Sequence, residues 1–499
     1  MQNFSFSDLL NRYTYVNGEL ALPCVPALLE TYIDRLEQMF ISLGKPFSKD
    51  DLAKLREMLS SYLNQGFRAT STTYLILKYN PSKSPDTGIS YTVSYATNSS
   101  IKPTHNNHEI EISIPAMFGV QASSKISGTP KLLERSTKLK ILKIGVPPEN
   151  QSSLCIPNFL KVVNRHTQVK GEIVMPCMPS LLSCYMAKLE KLFISVSKAF
   201  SKNDLLVLHK LLKENLINGF QHSPLSKVVI QYESAISPNI GVSYKVAYSL
   251  TSIAEQYQNW VDTRTPPLFG KNPDSKLMNI LKDMGTPSDL KVLDIGAGTG
   301  RNTLPLAKLG YKVEALELAP ALVKQLKIDA QAQDVNVIVL EGDVLDPLMS
   351  LSADTYNLIV CAEVVASHFR NVKQIKVLLK KVSESLCQGG LFLFNLFIAH
   401  EDYQPTQVAR EFSEVVWSSM FTNQDLKTAF EQLPLEIISN ESVFDYEHTH
   451  LQPNYWPPTG WFESWSKGKD LFRFEESQME LRWVLCKHIG SSTPFPPKK

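Results

Sequence analysis

The segment Val292-Leu-Asp-Ile-Gly-Ala-Gly-Thr-Gly300 decides the fold of the second half of this 499-residue chain. Its apolar start predicts a buried parallel strand that reaches Asp294, and glycines at 296, 298 and 300 predict a tight turn into a helix. Glycines let the backbone pass close to a ligand, and the following helix directs free N–H groups toward it. A dinucleotide-binding turn would need a third glycine where this chain has Arg301.

Strand-like and helix-like segments alternate after residue 251, which predicts a doubly wound parallel α/β sheet, a Rossmann-like fold. The predicted strands are Lys291–Ile295, Tyr311–Glu317, Val335–Glu341, Tyr356–Cys361 and Gly390–Phe397, followed by a closing antiparallel pair, Leu435–Asn440 and Glu480–His488. We therefore predict one domain over residues 251–490 and a disordered tail at 491–499.

Ligands of such sheets bind at the carboxyl ends of the strands. Glu317 ends the second predicted strand, where a carboxylate can accept hydrogen bonds from two ribose hydroxyls. Asp343 follows the third strand and is placed to accept from an adenine amino group, with the Val344 backbone at the ring edge. Glu363 follows the fourth strand, and His368 beyond it is either a general base or a surface or capping histidine.

These residues together resemble the class I S-adenosylmethionine (SAM) methyltransferases, whose first motif is similar to D-x-G-x-G-x-G at 294–300. Gly298-Thr-Gly-Arg-Asn302 resembles the tellurite-resistance group, and the region after the fourth strand resembles quinone-type O-methyltransferases, whose E-x-x-x-H is one residue shorter. The resemblance implies SAM as cofactor. The positions of Glu363 and His368 after the fourth strand make them the predicted catalytic residues, and no metal is expected because no Asp/His cluster follows that strand. The implied cofactor-binding residues are Asp294, Gly296, Ala297, Gly298, Gly300, Glu317, Leu318, Asp343, Val344, Glu363 and Tyr257.

Two aromatic segments flank the predicted site. Tyr257, Trp260 and Arg264 precede the sheet at the place where related enzymes fold a lid over the cofactor. The segment Tyr455–Trp465 holds three of the six tryptophans and either lines an acceptor pocket or packs as a small separate core.

The first half of the chain contains a repeat at a constant offset of 153 residues (171 − 18), which relates Gly18-Glu19 to Gly171-Glu172. The same offset relates Pro23–Pro26 to Pro176–Pro179. We predict a duplicated module with copies at 11–96 and 164–249, separated by a linker or insert at 97–163. The duplicated half resembles an extension of some cyanobacterial methyltransferases.

Each copy is predicted to fold as α-α-β-β. An apolar stripe predicts the first helix, a Ser48-x-x-Asp51 capping box starts the second, and Gly66 ends it. Alternating residues at Thr73–Tyr79 and Ile89–Tyr95 predict a hairpin. Since two helices and a hairpin bury little alone, the copies are expected to pack on each other about a pseudo-twofold axis.

The composition argues against several classes of partner. The chain has 51 Lys+Arg and 49 Asp+Glu, so nothing attracts it generally to nucleic acid or to an anionic membrane. Seven scattered cysteines without a C-x-x-C pair indicate reduced thiols in a cytoplasm. No signal peptide is expected in Met1–Tyr15, and no apolar run reaches the roughly 20 residues that span a bilayer.

We therefore expect a SAM-dependent methyltransferase that acts on an O, N or S atom of a small molecule. The segment after the fourth strand lacks a D-P-P-Y type motif, which argues against amide and adenine amino acceptors. Two alternatives remain: the same chemistry on RNA or protein, and a SAM-binding sensor or scaffold without catalysis. The repeats are also a candidate homodimer surface.

Overall fold

The computed structural model describes residues 6–69, 73–81, 89–97, 112–113, 163–234, 241–473 and 476–490. The chain divides into two compact units. The N-terminal unit comprises Ser5–His222 and Ser226–Leu250, and the C-terminal unit comprises Ser223–Leu225 and Thr251–Lys499. Within the described ranges, no helix has both the length and the apolar character to cross a membrane. Most of the predicted insert at 97–163 and the predicted tail at 491–499 lie outside the described residues.

The N-terminal unit combines helices with one antiparallel sheet. Its helices include α1 (Phe6–Tyr13), α2 (Leu29–Ser42), α3 (Lys49–Ala69), α4 (Leu182–Ser195) and α5 (Lys202–His222), with short 3-10 turns at Pro26–Leu28 and Pro179–Leu181. Its strands are β1 (Tyr15–Pro23), β2 (Thr73–Pro81), β3 (Ile89–Thr97), β4 (Ile112–Ser113), β5 (Gln168–Pro176), β6 (Lys227–Ser234) and β7 (Val242–Ser249). The strand order is β4-β3-β2-β1-β5-β6-β7.

The two central strands, β1 and β5, pair antiparallel with Gly18 opposite Gly171. On each side the chain continues in the same order, through a 3-10 turn and two helices to a hairpin. The predicted α-α-β-β order is therefore wrong, because it omits the first strand of each segment. Gly18 interrupts the side-chain alternation that marks a strand. Its lack of a side chain is required, since a Cβ there would lie 2.5 Å from Tyr79 Oη and 2.6 Å from Lys170 O.

The start of α3 is confirmed and its predicted end is wrong. The Asp51 N–H donates to Ser48 Oγ at 3.1 Å, which caps the helix as predicted. Helix α3 then continues through Gly66 to Ala69. Gly66 lets the helix pass close to the turn after β1, because a Cβ on it would lie 2.6 Å from Cys24 Sγ. The close approach explains this glycine better than a helix stop does.

Side chains cross between the two segments as reciprocal pairs. The Arg35 guanidinium donates to Asn164 Oδ1 at 2.6 Å, and the Lys188 ammonium donates to Asn11 Oδ1 at 2.8 Å. The 153-residue offset relates Asn11 to Asn164 and Arg35 to Lys188. Burial lowers the pKa of Lys188 to about 8. Each segment thus completes the polar contacts of the other.

A buried tyrosine pair joins the hairpins. The Tyr79 and Tyr232 hydroxyls lie 2.6 Å apart, also 153 residues apart in sequence. Phe40 packs edge-on against Tyr79, and Phe193 packs edge-on against Tyr232. In a core this apolar each hydroxyl depends on the other for its hydrogen bond.

The C-terminal unit is an α/β unit. Its helices are α6 (Ile253–Thr263), α7 (Ser275–Lys282), α8 (Thr303–Lys308), α9 (Pro320–Ala332), α10 (Val364–His368), α11 (Val372–Ser385), α12 (Gln407–Val415), α13 (Asn423–Phe430), α14 (Val443–His450) and α15 (Phe462–Ser466), with 3-10 turns at Pro287–Asp289 and Pro453–Tyr455. Its strands are β8 (Lys291–Ile295), β9 (Lys312–Glu317), β10 (Val337–Glu341), β11 (Tyr356–Cys361), β12 (Leu386–Ala399), β13 (Met420–Phe421), β14 (Leu435–Ser442) and β15 (Met479–His488).

The sheet of this unit has the order β10-β9-β8-β11-β12-β15-β14, with β13 beside β12. Strands β8 to β12 run parallel, and β14 and β15 form an antiparallel pair at one side. Both features confirm the sequence prediction. Because β9 lies on one side of β8 and β11 on the other, the strand order reverses between β8 and β11, where open α/β sheets bind ligands.

The core explains why the sequences of the parallel strands β8 to β12 are largely continuous apolar runs. Leu293, Ile359, Phe392 and Phe394 are fully buried in the sheet, and α11 adds Leu378 on one face. A parallel sheet covered by helices on both faces has no solvent side and needs no polar alternation. The polar side chains of the unit are therefore concentrated at the strand ends.

Candidate functional site

The glycine turn after β8 lies at the carboxyl edge of the sheet. Gly296, Gly298 and Gly300 have φ values of +73°, +57° and +92°, which side chains of L-residues rarely adopt. The Gly296 N–H donates to the Leu316 carbonyl of the neighbouring strand at 2.7 Å. The turn is thus anchored to β9, and its three glycines are required by its conformation.

Two of these glycines also lie where no side chain would fit. A Cβ on Gly296 would lie 2.1 Å from Val364 Cγ2, and one on Gly300 would lie 2.5 Å from Leu326 Cδ1. A Cβ on Gly298 would meet the Phe269 ring at 3.3 Å, a tight contact. Ala297 between them is buried. The turn therefore presents backbone rather than side chains to the strand edge.

Glu317 ends β9 and faces this turn. One carboxylate oxygen accepts from the Gly298 N–H and the other from the Ala319 N–H, both at 2.8 Å. Burial raises the pKa of Glu317, and the backbone N–H donors oppose that rise. Leu318 follows as a partly exposed side chain. Asp294, the glycine turn and Glu317 thus lie together at adjoining strand ends.

Asp294 is buried at the end of β8. It accepts from the Thr303 hydroxyl at 2.6 Å, which ties β8 to the start of α8. Burial raises the pKa of Asp294 to about 6, despite the hydrogen bond from Thr303 and the positive charge of Arg301. Perturbed carboxyl groups of this kind concentrate at functional sites.

Arg301 organises a buried ion network beside the turn. Its guanidinium lies 2.5 Å from Asp274 and 2.7 Å from Glu363, and its side chain is 8% exposed. Asn302 also donates to Asp274, at 2.8 Å. From the sequence, Arg301 excluded a dinucleotide site and formed part of the Gly298–Asn302 resemblance, but its ion pairs and the roles of Asp274 and Asn302 were not predicted. Their only sequence signal is that polar residues flank an otherwise apolar motif.

Glu363 follows β11 in a left-handed conformation with φ of +65°. Its N–H donates to Asn395 Oδ1 at 2.6 Å, and its carboxylate binds Arg301. Burial raises the pKa of Glu363, and the charge of Arg301 opposes this. A non-glycine residue held in this region costs about 1–3 kcal/mol, which is typical of functional sites.

His368 ends α10, and its Nε2 lies 2.8 Å from the Tyr257 hydroxyl. Burial lowers the pKa of His368 to about 4, so the imidazole is neutral at neutral pH. Burial and the charges of Glu317 and Glu363 raise the pKa of Tyr257. The two predicted catalytic residues thus have different partners: Glu363 binds Arg301, and His368 binds Tyr257.

An aromatic cluster surrounds this histidine, and we define it as Tyr257, Trp260, Phe269, His368 and Trp417. Trp417 lies 5.0 Å from His368 and stacks on Trp260 at 5.1 Å between ring centres. Tyr257 packs edge-on against Trp260, Phe269 and Trp417. The sequence prediction included Tyr257 and Trp260 but missed Trp417, which no local motif marks.

The two residues predicted to contact adenine differ in their exposure. Val344 is buried beside the end of β9, whereas Asp343 is exposed and accepts from the Leu345 N–H at 2.8 Å. This hydrogen bond forms a local turn. One oxygen of the Asp343 carboxylate thereby has a partner within the chain.

The segment Tyr455–Trp465 also divides into two parts. Trp465 is buried, packs edge-on against Phe397 and donates its indole N–H to the Trp417 carbonyl at 2.9 Å. Tyr455 and Trp461 instead line a cavity of about 480 Å³. Packing is thus observed for Trp465, whereas Tyr455 and Trp461 border open space.

No group of three or more His, Cys, Asp or Glu is placed to hold a metal ion in the described part of the chain. The site instead offers a turn without projecting side chains, a buried acceptor carboxylate and aromatic side chains. Such a set fits an uncharged nucleoside and a cation better than a phosphate, because Glu317 and Asp294 would repel an anion.

Comparison with known proteins identifies the same region of the chain. Residues 292–390 match the family model described as a methyltransferase domain. A ubiquinone biosynthesis O-methyltransferase of Xanthomonas axonopodis pv. citri is 29% identical over 150 residues, which are 30% of this chain and 60% of that protein. Another of the same description, from Rickettsia typhi, is 32% identical over 88 residues, which are 17% and 34% of the two chains.

A ribosomal protein L11 methyltransferase of Ruminiclostridium cellulolyticum is also similar, with 26% identity over 208 residues, 38% of this chain and 65% of that protein. The chain thus spans 60% or less of the length of the first two relatives and just under two thirds of the third. These relatives act on different acceptors according to their descriptions. The matches therefore identify the domain and leave the acceptor open.

Proposed function

Because residues 292–390 form a class I SAM-dependent methyltransferase domain, we propose that this protein transfers the methyl group of SAM to a small-molecule acceptor. The observation that supports it most directly is the contact of Glu317 with the Gly298 N–H at 2.8 Å. It brings the acceptor carboxylate of one strand end to the glycine turn of the next, at the switch point of the sheet.

The residues at this edge fit SAM in a specific orientation. Glu317 accepts from the ribose hydroxyls, since a planar carboxylate can hold two donors at once. The glycine turn lets the methionine part lie against backbone, and Ala297 and Val344 give apolar contact to the nucleoside. The free oxygen of Asp343 accepts from the adenine amino group. Tyr257 covers the cofactor from the side of α6.

When bound, SAM supplies an activated methyl group whose S–C bond breaks with both electrons leaving on sulfur. The acceptor atom supplies the electron pair of the new bond, and a proton must leave it. His368 is neutral at neutral pH and accepts that proton at Nε2, directly or through the Tyr257 hydroxyl. Alignment and exclusion of water are the main contributions of the chain, about 7–11 kcal/mol for well-oriented groups.

The acceptor class can be tested with the full chain, methyl-labelled SAM and a cell extract separated into small molecules, RNA and protein. We expect label among the small molecules, and none with the Glu317→Ala variant. Label confined to RNA or protein would overturn the small-molecule proposal and support the macromolecular one, for which the L11 methyltransferase relative is the supporting observation. Binding of SAM without label in any fraction would indicate a sensor.

A further inference from the structure

The cavity of about 480 Å³ in the C-terminal unit lies between two segments, 264–272 and 454–461. Leu268, Pro457 and Trp461 give it an apolar wall, and its volume is in the range of small-molecule sites.

The same cavity contains two cations and no carboxylate. Arg264 and Lys271 line it, and neither forms an ion pair with another described residue. The Arg264 guanidinium lies 3.9 Å from the centre of the Trp260 ring, a cation–π contact that restricts its motion. A planar guanidinium that is already ordered loses little freedom when it binds a carboxylate or phosphate through two hydrogen bonds.

A neutral polar group points to the same kind of ligand. Thr459 and Asn272 line the cavity as neutral polar residues. A hydroxyl and an amide both donate to anionic oxygens.

The cavity adjoins the aromatic cluster. Arg264 contacts Trp260, Trp260 stacks on Trp417, and Trp417 lies 5.0 Å from His368. On the other side Phe269 precedes the cavity residue Gly270 and contacts both Tyr257 and the position of Gly298. The cavity is therefore linked to the proposed reacting site through a chain of packed aromatic rings.

We propose that this cavity binds the anionic group, carboxylate or phosphate, of an aromatic acceptor, with Arg264 and Lys271 as its charge partners. The proposal rests on the proposed function in one respect, that the bound molecule is the methyl acceptor. The anion site itself is measurable without turnover. Trp461 and Leu268 favour an aryl body over a fully polar ligand.

Isothermal titration of the full chain with 4-hydroxybenzoate, phenyl phosphate and neutral phenol tests the site and distinguishes the two anions. We expect one or both anions to bind at least about 10-fold more tightly than phenol, a difference of about 1.4 kcal/mol. Equal binding of phenol, or no binding of either anion at millimolar concentration, would overturn the proposal.

Charge-removing variants locate the site. Arg264→Gln and Lys271→Gln should each weaken binding of the preferred anion, by about 10-fold and about 3-fold, since a fixed bidentate partner contributes more than a mobile exposed lysine. Lys312→Gln is the matched control, because Lys312 is exposed at the opposite end of β9. Since Arg264 packs on Trp260, Arg264→Gln is checked for folding by circular dichroism, and Lys271→Gln provides the variant without a packing role.

Titration of the same samples with SAM separates the two proposals. Normal SAM affinity in both variants, with anion binding weakened as stated, is the expected result. SAM binding without any preference for anions would overturn the cavity assignment alone. Anion binding without SAM binding would overturn the proposed function and leave the anion site standing.

Discussion

The Gly298 N–H donates to the Glu317 carboxylate at 2.8 Å, so a hydrogen bond joins the turn after β8 to the end of β9. A carboxylate that accepts backbone donors in the free protein is already oriented for ribose hydroxyls. Preorganisation of this kind lowers the entropy lost on binding.

Replacement of Glu317 should abolish this orientation. Glu317→Gln puts an N–H₂ donor opposite the N–H donors of Gly298 or Ala319, so we expect SAM affinity to fall about 10- to 100-fold, or about 1.4–3 kcal/mol. Calorimetric titration with SAM measures it. Glu436→Gln, exposed on β14, is the control and should bind as the native chain does. Unchanged affinity in Glu317→Ala would contradict the assignment of this residue.

The glycine turn should tolerate no methyl group at position 296. Gly296→Ala places Cβ 2.1 Å from Val364 Cγ2 at a φ of +73°, so it adds a collision to a strained backbone. We expect a loss of stability of about 2–4 kcal/mol in thermal or urea unfolding. Gly285→Ala has positive φ but open space and should cost about 1 kcal/mol. The double variant with Val364→Ala should recover part of the difference; no recovery would refute the collision.

Asp294 should make the stability of the C-terminal unit depend on pH. Burial raises its pKa from 3.8 to about 6, so the folded protein holds this proton more tightly than the unfolded chain. The stabilisation is present below about pH 3.8 and is lost as the pH rises through 6. Asp294→Asn removes this titration. The difference in free energy of unfolding between this variant and the native chain should therefore shift in favour of the variant by about 1–3 kcal/mol between pH 3.8 and about pH 7.

Urea unfolding followed by circular dichroism at about pH 4.5 and about pH 7.5 measures this difference. Asp289→Asn, at an exposed turn before β8, controls for the general effect of removing a carboxylate. An Asn variant with the same relative stability at both pH values would show that Asp294 titrates normally.

The Tyr79 and Tyr232 hydroxyls should be strongly coupled. Either Tyr→Phe change leaves the other buried hydroxyl without its partner, at a cost of about 1–3 kcal/mol. The double variant leaves no unpaired hydroxyl, so we expect it to cost about as much as one single change. Hydrogen exchange of the β2 and β6 amides reports the stability of this unit directly. Tyr95→Phe, at an exposed position, is the control, and additive effects would exclude the coupling.

Arg301 should be structurally essential to the site. Arg301→Met leaves Asp274 and Glu363 buried without their cation, so we expect a loss of about 3–5 kcal/mol in the free energy of unfolding. The surface pair Arg56–Glu30, with side chains 50% and 63% exposed, is the contrast. Arg56→Met should change stability by less than about 1 kcal/mol. A similar loss of unfolding free energy in Arg301→Met and Arg56→Met would show that burial does not increase the contribution of the Arg301 network to stability.

The parallel sheet and the glycine turn could be predicted because apolar runs, glycine spacing and strand-end carboxylates are local features of the sequence. The central strands β1 and β5 could not, since Gly18 and Gly171 break the alternation that marks a strand. Both positions need glycine because the backbone of the neighbouring central strand and a tyrosine of the hairpin some 60 residues later leave no room for a side chain. The 153-residue offset was visible, but the element order within each segment was not.

The candidate site shows the same division. Asp294, Glu317 and the glycines belong to short motifs and were named in advance. Trp417 was not, because it joins the aromatic cluster from a turn between α12 and β13, more than 150 residues after Tyr257. Arg301 was noted as a missing glycine and as part of the Gly298–Asn302 resemblance, but its ion pairs were not predicted. Contacts that depend on which loops meet at a strand edge require the folded chain.

The stacked indoles of Trp260 and Trp417 have a further consequence. Two indoles at 5.1 Å, inclined by 30°, couple their electronic transitions and give a paired positive and negative band in ultraviolet circular dichroism. One indole belongs to α6 and the other to the turn before β13, so the signal depends on the distance between these segments. This paired band therefore reports the position of α6 relative to the turn before β13. It should disappear in a Trp260→Phe variant, and it can be followed during ligand titrations without any label.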